Sequence, residues 1–314
     1  MDMQLNRKRP PTSSRHPRSS ILPPRFLSSL APYAMLAPLL GVFAAFFAYP
    51  LGRSLWLSFH TVVGDREAFV CAANYRFLLA DRIFWFAVAN TVGYTVVYLL
   101  VQLPACLLLA MLLNHRRLRA RSLLRFAFFS TYLVGPIFAG TLFGQILSPR
   151  DGPLAELLSG VIGRDVEIPW LTDRRLAMAS VLIASWWLSI GAGMIYCLAA
   201  LQSIPLTLYD AAAIDGAGPW ARFRHVTLPG VRPILGVLAL LGAVGALQLF
   251  ELPVLLFGGP GPGLGALTIV MYLFNAGFET GNAGLASAVG WVLVAMTAAV
   301  SGAATVLARG KVTR

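Results

Sequence analysis

Ser203-Ile-Pro-Leu-Thr-Leu-Tyr-Asp-Ala-Ala-Ala-Ile-Asp-Gly-Ala-Gly-Pro-Trp-Ala-Arg-Phe-Arg-His-Val-Thr-Leu-Pro229 is a polar, punctuated stretch between two long apolar runs. Pro205 suits a first helical turn, where its missing N–H has no intrahelical partner to lose. Leu206 to Asp215 is then read as a helix of about three turns, roughly 15 Å long at 1.5 Å per residue. Gly216 stops it. Pro219 opens a second short helix through Trp220, Arg222, Phe223 and Val226, and Leu228-Pro229 is expected to end it, because a proline cannot continue the hydrogen-bond ladder. Ala211 and Ala212 let a partner backbone come close, and Asp210 presents a carboxylate. Tyr209, Ile214 and Phe223 offer apolar anchors, with Arg222 and Arg224 at the rim. From the residues alone, two readings stand level: a docking element for a groove, or an amphipathic helix resting on a membrane surface.

Outward from this insert the chain is apolar. Of its 314 residues 57% are hydrophobic and 12% charged, against about 25% charged in soluble domains. The class is therefore an all-α polytopic membrane protein. Six runs are long enough to span, at roughly 31–51, 84–113, 123–147, 176–202, 232–257 and 283–308, by the requirement of about 20 mainly apolar residues. Pro104 marks a kink or tilt in the second. Leu267–Phe278 is too short to span and reads as re-entrant or interfacial. Cys71, Cys106 and Cys197 make no disulfide framework. Residues 1–28 read as a basic, disordered cytoplasmic tail, and residues 29–314 as one transmembrane domain with the insert, 203–230, inside it. No small-residue cleavage site follows the first apolar run, so that run is read as a retained helix.

Arg and Lys set the direction. With the N-terminus inside, the inner side collects the six basic residues of the tail, the Arg116–Arg125 loop, Arg222, Arg224, Arg232 and the basic C-terminus. The outer side keeps Arg53, Arg66, Arg76, Arg82, Arg150, Arg164, Arg174 and Arg175. This asymmetry favours both termini, and the insert, in the cytoplasm. It also accounts for the net charge of +12 without nucleic acid. The basic 2–3 loop suits anionic lipid heads.

The insert resembles the cytoplasmic motif of permease subunits of binding-protein-dependent ABC importers. That pattern, Glu-Ala-Ala, Asp-Gly-Ala, Phe and Leu-Pro, reads here Asp210-Ala211-Ala212, Asp215-Gly216-Ala217, Phe223 and Leu228-Pro229, with Asp210 one methylene shorter than the family's Glu. Shorter likenesses extend along the chain: Asn74-Tyr75-Arg76-Phe77, Asn90-Thr91, Trp170-Leu171, Leu201-Gln202 with Ile204-Pro205, Gly258-Gly259-Pro260 and Ala283–Ala288. They are similar to the maltose-type, carbohydrate-uptake branch. Ser130-Thr131 departs from it, standing where a proline is common. The resemblance implies a coupling helix seated in a separate ATPase and alternating access driven by ATP and Mg on that ATPase. It implies a complex of two homologous permeases (a heterodimer), two cytoplasmic ATPases and an extracytoplasmic solute-binding protein, in the cytoplasmic (inner) membrane. No cofactor is expected on this chain.

The remaining residues agree with a transport subunit rather than an enzyme. Lys8 and Lys311 are the only lysines, and neither follows a G-x-x-x-x-G cradle. Gly258–Gly265 is Gly-rich but reads as a tight external turn. His16, His60, His115 and His225 are scattered without metal-ligand spacing, and no G-x-S-x-G elbow is present. Polar residues within spans point to function: Gln248 and Glu251, three apart on one expected helix face, with Trp186, Trp187 and Asn275, form the candidate sugar path. The competing reading makes them interfacial anchors. Gln102 reads as interhelical glue, and Gly191-x-Gly193 as a packing pair. An ion-coupled secondary carrier would need mid-membrane charge relays or an internal repeat, neither of which is evident. An intramembrane glycan- or lipid-modifying enzyme would need a catalytic constellation that the chain does not present.

Overall fold

The computed structural model describes residues 35–63, 66–115, 118–163 and 167–309. The basic tail, Arg116, Arg117, Arg164, Lys311 and Arg314 lie outside the described residues. By internal contacts the chain divides into residues 1–53 and 54–314. The first unit contributes most of helix α1, Met35–Ser58. Its segment up to Arg53 is apolar around its circumference, with Phe43 and Phe47 stacked 5.7 Å apart.

The second unit holds everything else. A hairpin, β1 (His60–Val63) and β2 (Arg66–Phe69), pairs antiparallel with His60 opposite Phe69. Helix α2 (Ala73–Ala80) follows, then α3 (Arg82–Asn114), α4 (Arg121–Leu133), α5 (Pro136–Ile146) and α6 (Pro153–Ile162). Next come α7 (Arg174–Ser203), α8 (Leu206–Ile214) and α9 (Pro219–Leu247). The last are α10 (Glu251–Phe257), α11 (Ile269–Phe274), which runs into a wide turn at Asn275–Glu279, and α12 (Ala283–Arg309).

Five described helices are long and apolar enough to cross a membrane, and α4 with α5 makes a sixth if that bent pair is one span. The run expected at 123–147 is bent by 101° at Val134–Gly135, ahead of Pro136. Pro136 takes the first position of a new helix because it has no N–H to continue the old one. The fifth expected span departs at both ends. Pro229 does not end a short helix. A π-helical turn at Phe223–Thr227 precedes it, and α9 continues through Pro229 and Pro233 to Leu247. The wide turn takes up the mismatch of Pro229's missing donor, whose i−4 carbonyl lies within it. At its far end the helix breaks at Gln248–Phe250. A carbonyl at Leu249 would be met by the N–H four residues on, but residue 253 is proline.

Helices α3 and α7 form the central pair of this unit. Their facing residues recur every fourth position, which places them on one helical ridge each. Tyr94 donates to Ser185 Oγ at 2.7 Å, and Cys106 Sγ meets the Ile190 carbonyl at 3.5 Å. Gly191 lies so close to α4 that an added Cβ would fall on the Phe128 carbonyl. Small residues at membrane helix contacts allow this approach. A core cluster of Cys106, Leu107, Met194, Cys197, Leu201, Ile204 and Val231 closes the end of the pair nearest the insert. Another, with Tyr94, Phe143, Val181 and Leu249, closes the other end.

Candidate functional site

The insert is two helices with a capped turn. α8 has no buried residue. Its end is a Schellman motif. Ala217 N donates to Ala212 O at 2.9 Å, Gly216 N donates to Ala213 O at 3.1 Å, and Gly216 has φ +74. A Cβ at Gly216 would meet nothing within 4 Å, so only backbone conformation demands glycine there. Arg222 Nε donates to Ala217 O at 2.8 Å and draws the start of α9 back onto the turn. The Tyr209 hydroxyl pairs with Thr227 Oγ1 at 3.0 Å, and Thr227 is buried.

These contacts sort the expected anchors. Tyr209 and Phe223 pack against the chain's own core together with Val226. They fix the insert to the unit, and both stay half-buried. Ile214 remains 87% exposed, and Trp220, stacked 5.4 Å from Phe223, is 70% exposed. Asp210, Ala211, Asp215 and Gly216 are exposed, with Ala212 and Ala217 half-buried, and Leu228 and Pro229 lie exposed on the first turns after the π segment. Trp220 was not singled out from the sequence. Its signal was a large aromatic beside Pro219 in a segment otherwise rich in small residues.

The expected path residues do not share one helix face. Gln248 opens the break after α9 and Glu251 begins α10 beyond it, both exposed. Their spacing of three places them together only on an unbroken helix. Asn275 is half-buried on the wide turn after α11. Trp187 packs edge-on against Phe143 at 5.6 Å, and Trp186 packs on the same core with its Nε1 buried and unpartnered among the described residues. Both tryptophans are half-buried against this core. An aromatic run absent from the sequence reading borders the break. Phe250 lies 5.3 Å from Phe274, and Phe274 stacks on Phe278 at 5.0 Å. Such faces suit the C–H surfaces of a sugar ring, and the flanking amide and carboxylate suit its hydroxyls.

Several short sequence likenesses fall on hydrogen-bonded joints. Asn74 Nδ2 donates to the carbonyls of Ser58 and His60, each at 2.9 Å. Asn90 binds the segment before α11, and Thr91 binds α11's first residue, Ile269. Gln102 reaches Cys106 Sγ at 3.3 Å, while its Oε1 is buried without a partner among the described residues. Among the described residues, Cys71 is exposed and Cys106 and Cys197 are buried, all three free.

The chain matches the family described as binding-protein-dependent transport system inner membrane component over residues 26–312. It is 32% identical over 271 residues to the arabinooligosaccharides transport system permease protein AraP of Bacillus subtilis, covering 86% of each chain. It is 34% identical over 273 residues to the lactose transport system permease protein LacF of Rhizobium radiobacter, covering 86% of this chain and 91% of that one. In fold it is similar to a chain in the crystal structure of a bacterial ABC transporter that imports alginate. The TM-score is 0.79 at 23% identity, over 92% of this chain and 99% of that one.

Proposed function

We propose a division of labour for this chain, which belongs to the binding-protein-dependent transport system inner membrane components and is a multi-pass permease subunit of an ABC importer. The insert α8–α9 is its coupling element. Exposed Asp210, Asp215, Ile214 and Trp220 contact a cytoplasmic ATPase, while Ala211, Ala212, Gly216 and Ala217 let the two surfaces approach. Phe223, Leu228 and Pro229 carry the contact into the fifth span. The carrying observation is the insert's construction: a helix without a buried residue, held by a Schellman cap, the Arg222–Ala217 bond and the Tyr209–Thr227 bond. A rigid, exposed, self-anchored element suits force transfer better than a helix lying on lipid, which would bury its apolar face in the membrane.

The cargo is a sugar, an oligosaccharide or a related polyol. It moves by alternating access through a path shared with a second, homologous permease, past Gln248, Glu251 and Asn275, with Trp186 and Trp187 behind them. The names of the relatives and the aromatic run at Phe250, Phe274 and Phe278 support this class. An extracytoplasmic solute-binding protein delivers the cargo, and ATP and Mg act on two partner ATPases. Both termini lie in the cytoplasm, as the Arg and Lys distribution favours.

Copurification of the partner ATPase with Ile214→Asp and Trp220→Ala permeases tests the coupling element. Loss of the ATPase from a permease that still inserts in the membrane is expected. Undiminished association in both variants would refute it. Stimulation of ATP hydrolysis by binding protein loaded from a panel of neutral oligosaccharides then tests the cargo class.

A further inference from the structure

We infer that residues 264–272 form a keystone at the external end of the unit, and that Thr268 is a positioning residue for the break that carries Gln248 and Glu251. The inference rests on the proposed path through that break.

Three helices meet at this segment. On α3, Asn90 Nδ2 donates to both Leu264 O (3.2 Å) and Leu267 O (3.1 Å). Thr91, fully buried, accepts from Ile269 N at 3.0 Å and donates to Ala87 O at 2.8 Å. Asp81, ahead of α3, accepts from the Tyr272 hydroxyl at 2.6 Å. On α7, the Arg174 carbonyl lies where a Cβ on Gly265 would stand. At the break, Thr268 Oγ1 donates to Leu249 O at 2.7 Å and accepts from Met271 N at 3.3 Å.

The Thr268 bond has a specific cause. Pro253 supplies no N–H to the Leu249 carbonyl. Leu249 is 9% exposed and Thr268 is 0% exposed, so water does not readily substitute. Without the hydroxyl a buried carbonyl is left bare, which the fold avoids. The break therefore takes its geometry from a segment about 20 residues downstream. That segment is in turn bolted to α3 and follows directly on the external Gly258–Gly263 turn. Movement at the external turn and movement at Gln248–Glu251 are one movement as long as Thr268 holds.

The test uses the assembled permease–ATPase complex in nanodiscs, in a Cys71→Gly background. Glycine suits the left-handed backbone at position 71 (φ 52). Spin labels go on Gly259→Cys, where a Cβ meets nothing within 4 Å, or on exposed Ser203→Cys. The probe is Mg-ATP with vanadate, so no cargo is needed. In the wild-type frame both labels are expected to respond. In Thr268→Val, which keeps the shape and removes the hydroxyl, the Ser203 label responds and the Gly259 label does not. Thr268→Ser restores the Gly259 response. An undiminished Gly259 response in Thr268→Val overturns the inference, and so does loss at both sites, because the role would then not be local to the joint. Silence of both labels in the wild-type frame removes the proposed path and coupling reading beneath it.

Discussion

Gly216→Ala isolates the part of coupling that depends on backbone conformation. Gly216 sits at φ +74, and nothing lies within 4 Å of the place its Cβ would occupy. The substitution therefore adds no clash within the chain. Its cost is the left-handed conformation itself, about 1–2 kcal/mol for an L-residue. A free insert relieves this strain by opening the turn, giving up the Ala217–Ala212 and Gly216–Ala213 bonds. Binding to the ATPase must then restore the turn at the same cost. At 1.4 kcal/mol per tenfold, affinity should fall about 5- to 30-fold. Gly216→Asn should fall less, because asparagine tolerates this region better. The assay is the affinity of detergent-solubilised permease for its ATPase across Gly, Asn and Ala at position 216. An Asn variant weaker than Ala would refute the reasoning, since side-chain bulk at the contact, and not conformation, would then set the order.

Other outcomes follow from the same geometry. Cys71 is exposed in the turn before α2, and a membrane-impermeant maleimide should label it from the outer face of intact cells while Cys106 and Cys197 stay unlabelled. Labelling only in inside-out vesicles would reverse the proposed orientation. Gly191→Val should overpack α7 against Phe128 and cost about 1–3 kcal/mol or more, seen as a lower Tm in detergent. A Tm equal to wild type would mean that α4 and α7 are not in backbone contact.

The spans were legible because run length and apolarity are local properties. The insert's helices were legible because Pro205, Gly216 and Pro219 act on their own neighbours. The departures arise where the deciding atom is remote or competes. Pro229 looked terminal, yet a π turn upstream absorbs it. Pro253 gives the break, but the hydroxyl that stabilises it is on Thr268, and no spacing rule links 249 to 268. Tyr209, Phe223, Ile214 and Trp220 are all apolar or aromatic in one short stretch. Only packing shows that the first two face the core and the last two face out. A spacing of three puts Gln248 and Glu251 on one face only of a continuous helix, and the break removes that continuity.

The unbroken run of α9 has a mechanical consequence. Its 29 residues make a rod about 44 Å long. One end is the exposed Trp220 turn and the other is the break at Gln248. Rotation of the rod by about 5° around its Trp220 end would sweep the far end through about 4 Å, by the same helix length. A small tilt imposed at one face of the membrane thus arrives at the other as a displacement wider than a hydrogen bond, without any helix having to unfold.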